Sequence, residues 1–117
     1  MGAPVNFQAT VLAVREVPAG SPLAGLHIDV KVKNVAMDVF IAPMDFAMKY
    51  GVKVAKGDEV QVEGTQVKAD EANVVVLARA ITTGIFDKAR GVFKPTLTVY
   101  LRNENGPFWA EDTSVGP

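Results

Sequence analysis

One stretch limits this chain more than any other: Lys56-Gly57-Asp58-Glu59-Val60-Gln61-Val62-Glu63-Gly64. Val60 and Val62 fall on one side, with Glu59, Gln61 and Glu63 on the other. A period of two belongs to a strand with one face in a core and the other in water. Gly57-Asp58 supplies a turn ahead of the strand. Gly64 gives the backbone freedom for a sharp bend, as a barrel corner requires. The segments before this stretch read as a strand hairpin and one short helix, and those after it as further strands.

In chain order, residues 5–17 form a first strand. Phe7, Ala9 and Val11 alternate with Gln8 and Thr10, and then the phase slips to Leu12 and Val14. A slip inside one strand predicts a bulge, which lets a long strand curl and serve both halves of a barrel. Residues 18–25 are an uncharged loop rich in Pro and Gly. The next strand places Leu26, Ile28, Val30 and Val32 on one face and His27, Asp29, Lys31 and Lys33 on the other. Asn34 makes a tight turn into a return strand. There Met37, Val39 and Ile41 face inward, and Ala36, Asp38 and the aromatic Phe40 face outward.

Residues 43–50 are the one good helix candidate. Pro43 suits a first turn, Asp45 complements its positive end and Gly51 stops it. Phe46, Ala47 and Tyr50 make a short apolar stripe, and so brief a helix is held by packing, plugging one end of a barrel. Residues 66–73 read as a polar turn. Residues 74–83 are a nearly unbroken apolar run, as in a strand covered on both faces, and Gly84 ends it. Residues 85–95 are less regular. Leu97, Val99 and Leu101 then alternate with Thr98, Tyr100 and Arg102, and Asn105-Gly106 closes a turn that brings Phe108 and Trp109 back. Trp109 reads as an anchor across a barrel end, and residues 111–117 as a frayed tail.

The motif Val39-x-Ile41-x-Pro43-x-x-Phe46, then Gly51, Gly57-Asp58-x-Val60-x-Val62-x-Gly64 and Leu77-Ala78-Arg79, resembles compact bacterial OB-fold domains. Many of these occur in exported proteins, some linked to magnetosomes. Their ending Leu-Arg-x-x-x-Gly-x-Pro-x-Trp is similar to Leu101-Arg102-Asn103-Glu104-Asn105-Gly106-Pro107-Phe108-Trp109, one residue shorter between Gly and Pro. The resemblance implies a five-stranded Greek-key barrel over about residues 5–84, with the helix between its third and fourth strands. A C-terminal extension and hairpin over about 85–110 would complete one all-β domain spanning 1–117. It supplies no activity, because its motifs are strand-and-turn chemistry.

The composition removes several function classes. Twelve basic residues against thirteen acidic ones leave a net charge of −1, so no global field draws the chain to nucleic acid or to an anionic surface. With no cysteine, disulfides, thiolate zinc sites and thiol catalysis are out, and both cytoplasm and periplasm remain open. No apolar run reaches the length of a membrane helix. The opening Met1-Gly2-Ala3-Pro4 fits a native start or a start fused to an exported domain. One histidine and two serines, Ser21 and Ser114, form no catalytic or metal-ligand pattern. Neither an enzyme nor a cofactor is expected.

Two binding candidates follow. OB-folds bind across strands two and three, where His27, Asp29, Lys31 and Lys33 would lie beside Phe40. The plainer reading is a solvated face with Phe40 covered by a terminal segment or a second subunit. The second candidate is Lys88, Arg90, Phe93 and Lys94, cations among aromatics of the kind that single-stranded nucleic acid uses, set against an irregular segment anchored on the barrel. The expectation is a non-enzymatic binding or protein-interaction module for a protein partner or small ligand, compatible with a homo-oligomer, and the resemblance favours an exported, periplasmic bacterial protein over a cytoplasmic one. A single-stranded nucleic-acid binder is the rival.

Overall fold

A computed structural model describes residues 3–21, 23–68, 74–103 and 106–108. Its elements are β1 (Ala3–Val17), β2 (Gly25–Val32), β3 (Val35–Ala42), α1 (Met44–Lys49), β4 (Glu59–Lys68), β5 (Val74–Asp87), β6 (Val92–Tyr100), β7 (Arg102–Asn103) and β8 (Gly106–Pro107). The main sheet runs β3-β2-β1-β4-β5-β6, and a parallel pairing of Asp38–Phe40 with residues 75–77 joins β3 to β5. That closes a ring of five strands, β1-β2-β3-β5-β4, in the all-β barrel expected from the sequence and compatible with an OB-fold.

Alternation decides what fills the ring. Val60 and Val62 of β4 are fully buried, together with Ile28, Val30, Val39, Ile41, Val76 and Ile81. Each such side chain contributes roughly 1.5–3 kcal/mol when removed from water. The phase slip in β1 is a bulge: the register with β2 shifts between Val11 and Ala13, leaving Leu12 extra. The turn ahead of β4 locks it. Val11 N–H donates to the Asp58 carbonyl and Gly57 N–H donates to the Val11 carbonyl, both at 2.8 Å. So β1 pairs with β4 from Ala3 to Thr10 and with β2 from Thr10 to Val17, and the bulge falls where the first pairing has ended and the second has begun.

The β2–β3 turn takes positive φ at both Lys33 and Asn34, the backbone of the tightest hairpins, which Asn tolerates. Helix α1 sits between β3 and β4 as expected, with Phe46 and Ala47 in the core. It ends on Gly51, whose N–H donates to the Met48 carbonyl while Val52 N–H reaches Ala47, a paired closure that a left-handed glycine permits. Tyr50 is about half exposed and stacks on Phe46, with ring centroids 4.5 Å apart.

Three expectations change. Strand β4 does not end at Gly64: it shifts register there and runs on to Lys68, so residues 66–68 are strand, and 69–73 lie outside the described residues. Gly64 has an ordinary φ. Its requirement is space, because a Cβ there would stand 2.3 Å from the Leu77 carbonyl oxygen. Gly84 likewise does not end β5, which continues to Asp87.

The third change is the largest. Residues 85–95 form the outer part of a hairpin whose strands pair from Ala80↔Tyr100 to Asp87↔Val92. The Asp87 side chain accepts from the N–H groups of Ala89 and Arg90, the Gly91 N–H donates to the Asp87 carbonyl, and Gly91 takes φ +66°. That loop makes residues 84–97 a projecting arm, since β4 pairs with β5 only as far as Thr83. Beyond β6, Leu101 is buried, and Phe108 packs on the core and donates its N–H to the Leu101 carbonyl. Trp109 and the tail lie outside the described residues.

Candidate functional site

The outward side chains of β1, β2 and β3 form one connected polar cluster. Arg15 pairs across to His27 in the β1–β2 register, and Asp29 stands opposite Asp38 in the β2–β3 register. Two carboxylates facing each other repel, and Arg15 offsets this. Its Nε and Nη2 both donate to Asp29 at 2.9 Å, and Nη2 also lies 3.0 Å from Asp38. The hydrogen bond to Asp29, and beyond it the charges of both carboxylates, raise the Arg15 pKa above its ordinary value against the opposing effect of burial.

His27 extends the cluster inward. Its Nδ1 is 2.8 Å from Asp38 and its Nε2 is 2.6 Å from the Leu23 carbonyl oxygen. A carbonyl only accepts, so Nε2 carries a proton there. The ring thus ties the loop after β1 to β3. His27 is 4% exposed and Phe40 5%, and the two rings meet with centroids 5.2 Å apart.

The first candidate site therefore changes character. His27, Asp29, Lys31, Lys33 and Phe40 do lie along one outer surface, yet His27 and Phe40 are buried against each other and offer no stacking platform. Asp29 is committed to Arg15. Lys31 and Lys33 remain exposed. Sequence reasoning missed Arg15 and Asp38, the residues that hold this face together. The β1 bulge was the available signal, because it turns Arg15 outward. No group of three or more His, Asp or Glu residues placed to hold a metal ion occurs among the described residues.

The second candidate set is brought together, at the arm. Lys88, Arg90 and Lys94 are exposed around the loop. Arg90 and Lys94 stand 3.8 and 4.0 Å from Asp87, long contacts of the kind that contribute little. Phe93 is half-buried opposite Phe86 on one side of the ribbon. The other side continues the barrel interior outward. Core Ile81 and Val99 are followed by Thr83 and Leu97, then Ile85 opposite Lys94, then Asp87 opposite Val92. With no barrel left to cover them, Ile85 is 66% exposed and Val92 and Leu97 nearly half.

Surface grooves are modest beside this. They are open clefts: one of about 140 Å³ lies over Gln61, Glu63, Ala80, Thr82, Thr98 and Tyr100, and one of about 410 Å³ lies beside Ala3, Gln66, Val67, Lys68 and Val74. The arm differs from them in being apolar on both sides and cationic at its end.

Against known proteins, a family model described as the MamS/MamX magnetosome protein family matches residues 3–85. The match takes in the whole ring and ends at the base of the arm. No curated protein matches the chain.

Proposed function

The chain belongs to the MamS/MamX magnetosome protein family, and from that premise we propose that it is a non-enzymatic binding module of the magnetosome. Its barrel is the scaffold and the β5–β6 arm its contact surface. The observation that carries this reading is the exposure of Ile85, Val92 and Leu97 on a ribbon that leaves a closed, well-filled ring. A two-stranded ribbon is marginal in water by itself, and contiguous exposed apolar side chains mark interaction sites. On the β1–β2–β3 face, by contrast, Arg15, Asp29, Asp38 and His27 are mutually engaged and the aromatic Phe40 is buried, which leaves Lys31 and Lys33 without that aromatic as an exposed neighbour.

The test is recovery with isolated magnetosomes. The full chain should co-purify with them when expressed in a magnetosome-forming cell, and the Ile85→Ser/Val92→Ser variant should be lost to the soluble fraction while keeping its denaturant midpoint. Equal recovery of both would remove the arm as the contact surface.

A further inference from the structure

The composition of the arm's end points to a particular partner. Residues 85–97 carry Lys88, Arg90 and Lys94 against Asp87, a net of +2 on a chain whose total is −1. The cations surround the loop, and Ile85 and Val92 project from one side of the ribbon within a residue or two of them. Cations ringing exposed aliphatic side chains match a surface that is anionic outside and apolar just beneath. The single carboxylate there, Asp87, is engaged by two backbone N–H groups of the loop. Lys88 has no ion-pair partner among the described residues.

Other occupants fit less well. Pairing of the free β6 edge with another strand is opposed by Pro95 and by the register shift at Gly84, both devices that blunt an edge. A symmetric contact with a second copy through this end would set two positive loops together. We propose that the end of the β5–β6 hairpin docks on the surface of an anionic lipid bilayer, with Ile85 and Val92 entering the headgroup layer and Lys88, Arg90 and Lys94 holding the lipid phosphates. This rests on the arm being the contact surface, and it names the partner.

Co-sedimentation of the full chain with vesicles of phosphatidylcholine, with and without phosphatidylglycerol, tests it. Binding should require phosphatidylglycerol and weaken as salt is added. Lys88→Gln/Arg90→Gln should lower the partition coefficient about 25-fold, roughly fivefold for each cation. Ile85→Ser/Val92→Ser should lower it at unchanged charge. These side chains are solvent-exposed, and circular dichroism melting of each variant establishes that it folds. No binding to anionic vesicles, equal binding to neutral ones, or variants that bind like the wild type would each overturn the proposal. So would binding to a labelled single-stranded oligonucleotide without binding to vesicles. Loss of the arm variant from magnetosomes alongside absent vesicle binding would leave the arm as contact surface and remove the lipid as its partner.

Discussion

Replacing Gly64 with alanine asks whether β4 and β5 are joined as closely as the fold requires. A Cβ at Gly64 would lie 2.3 Å from the Leu77 carbonyl oxygen and 3.0 Å from Ala78 Cα. Both are backbone atoms, so neither can rotate aside. The methyl group must push the strands apart where their register shifts, between Glu63 and Gly64. Val62 and Ala78 beside this point are core residues, so the displacement also loosens packing. Overpacking a filled interior costs about 1–3 kcal/mol, and the rigidity of these neighbours puts Gly64→Ala near the upper end, about 3 kcal/mol. At roughly 4 °C per kcal/mol for a chain of this size, the melting temperature falls by about 12 °C. Gly57→Ala is the control. Gly57 has φ +93° with nothing within 4 Å of its absent side chain, so that variant bears backbone strain alone, about 1–2 kcal/mol. Urea denaturation of both variants gives the comparison. A loss below about 0.5 kcal/mol for Gly64→Ala, the size of an ordinary surface change, would refute the close approach.

The outer cluster supplies further predictions. His27→Ala removes a buried ring, leaves the Leu23 carbonyl without its donor and opens space against Phe40, and should cost about 3 kcal/mol by denaturant midpoint. Arg15→Gln should cost about 1 kcal/mol, because its pairs are partly exposed and screened, and combining it with Asp29→Asn should cost less than the sum. Because the Arg15 pKa is raised, its contribution is full below the ordinary guanidinium range and is lost only as pH climbs through the still higher folded value. Its own titration therefore leaves stability flat from pH 5 to 9 in a comparison of wild type and Arg15→Gln. For nucleic acid, fluorescence anisotropy with a labelled single-stranded oligonucleotide should show weak or no binding at physiological salt. Phe40 and His27 are not free to stack, and the net charge is −1; submicromolar, salt-sensitive binding would contradict this.

Much of the barrel was legible because alternation speaks directly to burial. Val60 and Val62, the β2 set from Leu26 to Val30, and the slip at Leu12 all lie where the pattern put them. The helix was legible from Pro43 and Gly51, which mark its ends chemically. The arm was not. Its strands carry apolar residues on both sides, Ile85 and Phe86, Val92 and Phe93, so no period of two stands out there. Glycine and proline at Gly84 and Pro95 look like strand breakers, when in fact they face each other across the ladder. The remaining signal was Asp87 four residues before Gly91, the chemistry of a loop closed by a side-chain cap and a left-handed glycine.

The cluster around His27 was half legible. Its positions on the outer face followed from the β2 alternation, but their burial did not. Burial depended on Arg15 arriving from β1 after a bulge and on the Leu23 carbonyl turning toward the ring, neither of which a local pattern encodes. Phe40 fits its outward assignment and is nonetheless covered.

Amide hydrogen exchange on the full chain, with and without isolated magnetosomes, tests the division into scaffold and contact surface most directly. Exchange in residues 84–97 should slow on addition of magnetosomes, while the β2–β3 segment around Lys31 and Lys33 keeps its free-state rates. Protection appearing at β2–β3 with the arm unchanged would contradict the account and return the contact surface to the barrel face.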